Sequence, residues 1–137
     1  MTKFTYRENE FYNAGRDIWF EMRGEKVAQA AVDQAAEHDM TGELRQFLFE
    51  HCFGAVWARP GLERTTRSTI TISVLTALGR TEELKGHIRM GINNGLTREE
   101  LKEIFLHVGI YAGVPTAVSA VRVAMEVFAE MDKAAKG

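Results

Sequence analysis

Apolar residues in this chain recur mostly three or four positions apart, which is the spacing of one face of an α-helix. Short breaks rich in glycine, asparagine, threonine or proline divide the sequence into segments of helical length. The breaks lie at residue 24 and at residues 39–41, 59–61, 79–81, 94–95 and 113–115. The pattern predicts an all-α helical bundle of about six or seven helices.

The first three predicted helices each have one apolar side. The residues of these apolar sides are Phe11, Ile18, Trp19 and Met22 in the first helix, Val27, Ala30, Ala31 and Ala35 in the second, and Leu44, Phe47, Leu48, His51 and Cys52 in the third. We expect these sides to face the core. We also expect Thr41 to cap the start of the third helix.

Residues 67–78 fit two kinds of structure. The segment begins with alternating polar and apolar residues and is rich in β-branched side chains, which favours a strand. Ile70, Val74 and Leu78 also form a helical stripe. Because no partner strand is visible elsewhere and an isolated strand cannot satisfy its backbone, we predict a helix.

The boundaries of the last two helices are better defined. Asn94 and Gly95 suit a helix C-terminus, residues 97–100 read as a capping box, and Pro115 suits the first turn of the last helix. The last helix has two apolar sides, with Val118, Val121 and Met125 on one and Ala117, Ala120, Ala124 and Val127 on the other. A helix with two apolar sides in so short a chain predicts a subunit interface as well as a core.

Composition narrows the class of protein further. The chain has 137 residues, of which 45% are hydrophobic and 26% charged, so we expect a single domain over residues 1–137. The net charge of −2 comes from interleaved signs without a basic stripe, which argues against a nucleic-acid partner. No apolar run approaches the roughly 18 residues of a membrane span. With no apolar signal-like start and a lone cysteine, Cys52, we expect a cytoplasmic protein without dithiol redox chemistry.

Arg80, Glu83 and His87 are the first candidates for chemistry. Their spacings of three and four residues place them on one face of a helix. A carboxylate and an imidazole one turn apart can transfer protons, and an arginine can hold an anionic ligand. The alternative interpretation is a solvated stripe of ion pairs. A metal site at Glu83 and His87 would need a third ligand, for which His107 is the one candidate.

Arg67 and His107 are two further polar residues that could contact a ligand. Arg67 by itself reads as a surface charge near the start of its helix. His107 lies one turn before Tyr111, so the two rings can meet at the edge of the core. The sequence contains no phosphate loop, nucleophile elbow or zinc spacing.

An ordered set of short motifs resembles the γ-carboxymuconolactone decarboxylase family. The motifs are WARPGL (57–62), RS (67–68), TAL (76–78), ELKGHIR (83–89), NNGLTREE (93–100) and IYAGVP (110–115). The resemblance extends from YNAG at 12–15 to the helix that ends near Met131. It implies a small all-helical subunit with the alkylhydroperoxidase-D-like fold, assembled into a ring-like homo-oligomer, commonly a hexamer. Related peroxidases carry a Cys-x-x-Cys where this chain has Arg80 and Glu83, so the resemblance excludes the redox branch.

The resemblance also implies a reaction, the cofactor-free and metal-free decarboxylation of γ-carboxymuconolactone to the β-ketoadipate enol-lactone in aromatic catabolism. The small-molecule partner is then a lactone carboxylate. In this interpretation Glu83 and His87 are catalytic, and Arg67 or Arg80 clamps the carboxylate that survives. Trp57 lines a drier part of the substrate pocket, and His107 completes the substrate-binding set.

This chain departs from the family pattern at three positions. Typical members have Gly-Glu-x-Trp, Tyr-Cys-Gly-Val-Pro and a polar residue after it, where this chain has Ala55, Ala112 and Val118. Two alternatives therefore stay open. One is a different cofactor-free lactone reaction, such as isomerisation or ring opening. The other is a non-catalytic oligomer that binds a carboxylate.

Overall fold

Helices make up most of residues 2–137, the part of the chain that the computed structural model describes. They are α1 (Glu10–Arg23), α2 (Glu25–Ala35), α3 (Asp39–Phe47), a π-helical segment (Leu48–Trp57), α4 (Arg64–Leu78), α5 (Thr81–Asn93), α6 (Arg98–Ala112) and α7 (Val114–Lys136). No strand occurs within these residues, so the predicted all-α class is confirmed. The helices form two compact units, an amino-terminal unit up to Leu62 and a carboxy-terminal unit from Glu63 onward.

The amino-terminal unit is held by close packing of α1 on the π-helical segment. A Cβ atom on Gly15 would lie 1.9 Å from the carbonyl oxygen of Phe49, and one on Gly54 would lie 2.1 Å from that of Phe11. Since real Cβ atoms do not approach so closely, only glycine permits the two backbones to meet here. The ring centroids of Trp19 and Phe49 are 5.4 Å apart in the core beside this crossing.

The predicted apolar side of α1 is confirmed at Trp19 and Met22 but not at Phe11, and the predicted apolar sides of α2 and α3 are on the wrong face of the helix. Phe11 is 56% exposed, and Leu44 and Phe47 are exposed as well, whereas Gln46 is buried. The physical reason is a long-range contact: the Gln46 side chain accepts from the backbone N–H of Arg7 and donates to its carbonyl oxygen, both at 2.9 Å. This pairing gives the amide a satisfied place in the core.

Thr41 does not cap α3. The helix begins two residues earlier, with His38 at the cap position. The Thr41 hydroxyl instead donates to the carbonyl oxygen of Ala35, at 2.6 Å. The threonine therefore bonds back to the end of α2 rather than to the first turn of α3.

The carboxy-terminal unit packs α4, α5, α6 and α7 around an aliphatic core. Its fully buried members include Ile72, Leu84, Ile88, Leu101 and Val127. The helix predicted over residues 67–78 is confirmed, and α4 begins slightly earlier.

The buried side of α4 differs from the predicted stripe. Ile70, Val74 and Leu78 are about half or more exposed, and the core side carries Ile72 with two polar residues, Ser68 and Thr76. Ser68 can be buried because its hydroxyl accepts a hydrogen bond from the side-chain amide of Asn94, at 2.9 Å.

The predicted helix boundaries in this unit are confirmed. Asn94 is the C-cap of α5, and Gly95 has a φ of 116°, a conformation that favours glycine. Thr97 and Glu100 form both hydrogen bonds of the capping box, and Pro115 lies in the first turn of α7. The α7 helix buries Ala120, Val123, Ala124 and Val127 and exposes Val118, Val121 and Met125. One apolar side thus faces the core and the other faces solvent.

None of the helices described between residues 2 and 137 is both long and apolar enough to cross a membrane.

Candidate active site

The start of α5 places Arg80 at the helix end where an anion would be favoured. Gly79 has a left-handed φ of 71°, which ends α4 and turns the chain into α5. The backbone N–H of Arg80 donates to the carbonyl oxygen of Leu75, at 2.9 Å, which fixes this tight corner. Arg80 itself is the N-cap residue of α5.

Glu83 and His87 lie on the first turns of α5, next to the helix side that carries its core residues. Leu84 and Ile88 are fully buried, whereas Glu83 is exposed and His87 is half-buried. The Nδ1 atom of His87 is itself buried. Glu83 and His87 lie one turn apart on α5, as the spacing predicted, whereas Arg80 precedes the helix and has a non-helical backbone.

The ion pairs of α5 lie on its other side. Lys85 is 3.3 Å from Glu126 of α7, and Arg89 pairs with Glu130 of the same helix. Because Lys85 follows Glu83 by two residues, about 200° around the helix, its charge is directed away from the Glu83 side. The neighbouring Glu126 raises the pKa of Lys85. These pairs fix α5 against α7 on the side opposite Glu83.

The two candidate arginines lie at opposite ends of the pair formed by α4 and α5. Arg67 is beside Ser68, whose bond to Asn94 joins the start of α4 to the end of α5. Arg80 lies at the start of α5, and a helix of 13 residues is about 20 Å long. Arg67 is half-buried and Arg80 is exposed. The backbones of the two arginines thus lie about one helix length apart along this pair.

His107 is placed on α6, where its ring stacks on Tyr111. The centroids are 5.1 Å apart and the planes differ by 18°, as the sequence spacing predicted. Both residues are exposed, Tyr111 to 82%. Within residues 2–137 no three metal-ligating side chains come together, so the metal alternative has no ligand cluster here. The helices packed most closely on α5 are α4 and α7, not α6.

Trp57 lies at the end of the π-helical segment, in the amino-terminal unit. It is buried, and its ring centroid is 6.0 Å from that of Phe53. Within its own unit it is a core residue, and its predicted role beside substrate stays a prediction.

The Ser68–Asn94 hydrogen bond was not predicted. The sequence predicts only a C-cap at Asn94. No sequence signal indicates its hydrogen bond to a serine 26 positions earlier. The bond is adjacent to Arg67 and fixes the turn from which that side chain extends.

Comparison with known proteins assigns this fold and site to a family. Residues 42–126 match the carboxymuconolactone decarboxylase family. The chain belongs to this family. The match extends from α3 into α7 and includes all six candidate residues: Trp57, Arg67, Arg80, Glu83, His87 and His107.

Three known proteins are similar to the chain over most of its length. The 4-carboxymuconolactone decarboxylase of Acinetobacter baylyi is 40% identical over 124 residues, which cover 90% of this chain and 91% of that protein. Nitrosuccinic acid decarboxylase of Metarhizium robertsii is 30% identical over 88% of this chain and 82% of its own. An uncharacterized 15.0 kDa protein of Paracoccus denitrificans is 28% identical over 74% and 77%. The resemblance found in the sequence is confirmed, as is the prediction of an enzyme of the carboxy-lyase type.

Proposed function

We propose that this protein decarboxylates γ-carboxymuconolactone, or a close lactone acid, to the β-ketoadipate enol-lactone in aromatic catabolism, without a cofactor. The observation that carries the proposal is the relative named 4-carboxymuconolactone decarboxylase, which is 40% identical over nine-tenths of the chain. One side of α5 carries a carboxylate, Glu83, and an imidazole, His87, one turn apart, and Arg80 precedes the helix. These groups support the proposal chemically, since they can transfer a proton and hold an anion.

The substrate itself supplies the electron sink for this reaction. The bond between the ring carbon and the carboxylate breaks, CO2 leaves, and the electron pair enters the conjugated lactone as a dienolate. A proton is then added to carbon, which completes the balance. Because the lactone oxygen accepts the charge, the protein has to stabilise an oxyanion, deliver a proton and hold the surviving carboxylate.

We assign these tasks to residues of the carboxy-terminal unit. His87 stabilises the oxyanion or donates the proton, and Glu83 orients it or takes part in the transfer. Arg67 lies near the start of α4 and Arg80 at the start of α5, so we assign the clamp of the surviving carboxylate to one of them and a further role in the site to the other. His107 is assigned to substrate binding.

We also propose a homo-oligomer, a hexamer, in the cytoplasm. The exposed apolar side of α7, formed by Val118, Val121 and Met125, supports an interface between copies of the chain. The Met125→Lys variant places a charge on this apolar side, so it should lower the mass of the assembly measured by light scattering. A monomeric parent protein would contradict the assembly.

The proposed centre is tested by a matched pair of acidic residues on α5. Glu83→Gln removes the candidate carboxylate, whereas Glu82→Gln removes an exposed carboxylate one position earlier that faces a different direction. With enzymatically generated γ-carboxymuconolactone, CO2 release should fall about 100-fold or more in the first variant and stay near normal in the second. Equal rates in both variants would contradict the role of Glu83.

A second substrate class is favoured by the relative named for nitrosuccinic acid. Two relatives named as decarboxylases carry the names of different acids, a carboxylactone and a nitro acid. In both acids a group beside the leaving carboxylate can accept the electron pair. Ala55, where typical members have glutamate, is a place where the substrate preference of this chain can differ. CO2 release from nitrosuccinate faster than from the lactone would favour this second candidate.

A further inference from the structure

The amino-terminal unit contains a cavity that the proposed reaction does not use. It has a volume of about 560 Å³ and lies between residues of α2 and α3. Its apolar wall includes Ala31, Leu44 and Leu48, and its polar groups include Gln34, His38 and Arg45. The cavity is therefore an apolar recess with nitrogen donors on one side.

Arg45 is the unusual member of this wall. Its guanidinium carbon lies 4.6 Å from the ring centroid of Trp19 and 5.8 Å from that of Phe49. Its Nε atom is buried, and no carboxylate in residues 2–137 pairs with its side chain. Burial lowers the pKa of Arg45 below that of an ordinary arginine. A cation held on two aromatic faces without a carboxylate is incompletely compensated.

Other arginines in the same chain do have their carboxylates. Arg7 forms two hydrogen bonds with Glu43, and Arg98, which lies over the ring of Phe128, forms two with Asp132. Arg98 shows that an arginine can rest on an aromatic ring and still be neutralised. Arg45 has its ring contacts and an electrostatic interaction with Tyr6, but no carboxylate within the described residues.

The local charge around the cavity favours an anion. Glu37 is the acidic residue of the wall, and its carboxylate is already 3.3 Å from the ammonium group of Lys3. That pair leaves the guanidinium of Arg45 as the uncompensated charge of the recess. An arginine fork matches the two oxygens of a carboxylate, and an apolar wall covers a hydrocarbon body.

We propose that this cavity binds a small organic carboxylate, held by Arg45 and covered by Ala31, Leu44 and Leu48. Gln34 and His38 line the same recess and supply further N–H donors to the bound oxygens. The site lies in the amino-terminal unit, whereas Glu83 and His87 belong to the carboxy-terminal unit. The inference does not depend on the proposed decarboxylation.

Benzoate is the probe, since it joins a carboxylate to an apolar ring, and benzamide is its uncharged counterpart. In ¹H–¹⁵N spectra of the ¹⁵N-labelled full chain, benzoate should shift the amides of residues 31–48 and the indole of Trp19. Benzamide should bind at least tenfold more weakly. Arg45→Met should weaken benzoate binding at least tenfold.

Leu44→Glu tests the site without removing a buried side chain, because Leu44 is exposed at the cavity wall. The added negative charge should abolish benzoate binding, whereas the matched Leu44→Gln variant should keep it. Any of three results would overturn the proposal: no shift at millimolar benzoate, equal binding of benzoate and benzamide, or unchanged binding in both Arg45→Met and Leu44→Glu. Shifts confined to the residues around Glu83 and His87 would overturn it as well.

Discussion

The two units of this protein are stabilised in different ways. In the amino-terminal unit, Gly15 and Gly54 allow helix backbones to touch, and aromatic rings fill the space beside them. In the carboxy-terminal unit, aliphatic side chains such as Ile72 and Ile88 form the core, and ion pairs fix α5 against α7. The proposed catalytic residues Glu83 and His87 lie in the second unit. The contrast shows that backbone contact at small residues shapes one unit, while regular amphipathic helices shape the other.

The largest effect should come from a methyl group at the glycine crossing. In Gly54→Ala the new Cβ would meet the carbonyl oxygen of Phe11 at 2.1 Å, so the backbones of α1 and the π-helical segment must separate. We expect a loss of more than about 3 kcal/mol in the free energy of unfolding, measured by urea titration. Gly61→Ala is the control, since no atom lies within 4 Å of its added Cβ. Equal stability of the two variants would show that the crossing is not tightly packed.

A smaller effect should separate two isoleucines of α4. Ile72 is 0% exposed in the aliphatic core and Ile70 is 49% exposed, although the sequence pattern assigned Ile70 to the buried side. Ile72→Ala should cost about 2–3 kcal/mol of unfolding free energy, and Ile70→Ala about 0.5 kcal/mol. The reverse order would mean that α4 is rotated about its axis relative to the structure described here.

The smallest effect should be a pH dependence from the pair between Arg98 and Asp132. The guanidinium of Arg98 lowers the pKa of the Asp132 carboxyl. Since the folded pKa lies below the unfolded one, the stabilisation is present above the ordinary carboxyl pKa and is lost as the pH falls through the folded value. Asp132→Asn should therefore flatten the fall in stability between neutral and acidic pH. Asp17→Asn, at an exposed site of α1, is the control, and an equal flattening there would refute the effect.

The sequence was informative for several local signals. The capping box at Thr97, the glycine at Gly95 and the proline at Pro115 each act within one turn of chain, and each was placed correctly. The cap predicted for α3 was wrong, because that hydroxyl bonds back to the end of α2. The spacing of Glu83 and His87 is local in the same sense, since one helix fixes their relative direction.

The sequence was uninformative where distant residues decide which side is buried. Gln46 faces the core because the backbone of Arg7, 39 positions away, pairs with its amide. Ser68 does so because Asn94 donates to it. A prediction based on apolar side chains alone assigns such polar residues to the surface. The predicted buried face of the helix is then the wrong one. The same limit left open which arginine accompanies His87.

The rate of CO2 release by a His87→Ala variant is the most direct test of the proposed catalytic role of His87. His87 lies outside the set of fully buried core residues, so His87→Ala should fold, and its urea unfolding midpoint is compared with that of the parent. His51→Ala, an exposed histidine of the amino-terminal unit, is the matched control. We expect the rate of CO2 release to fall about 100-fold or more in His87→Ala and to stay normal in His51→Ala. A folded His87→Ala protein that releases CO2 from the lactone at the parent rate would contradict it.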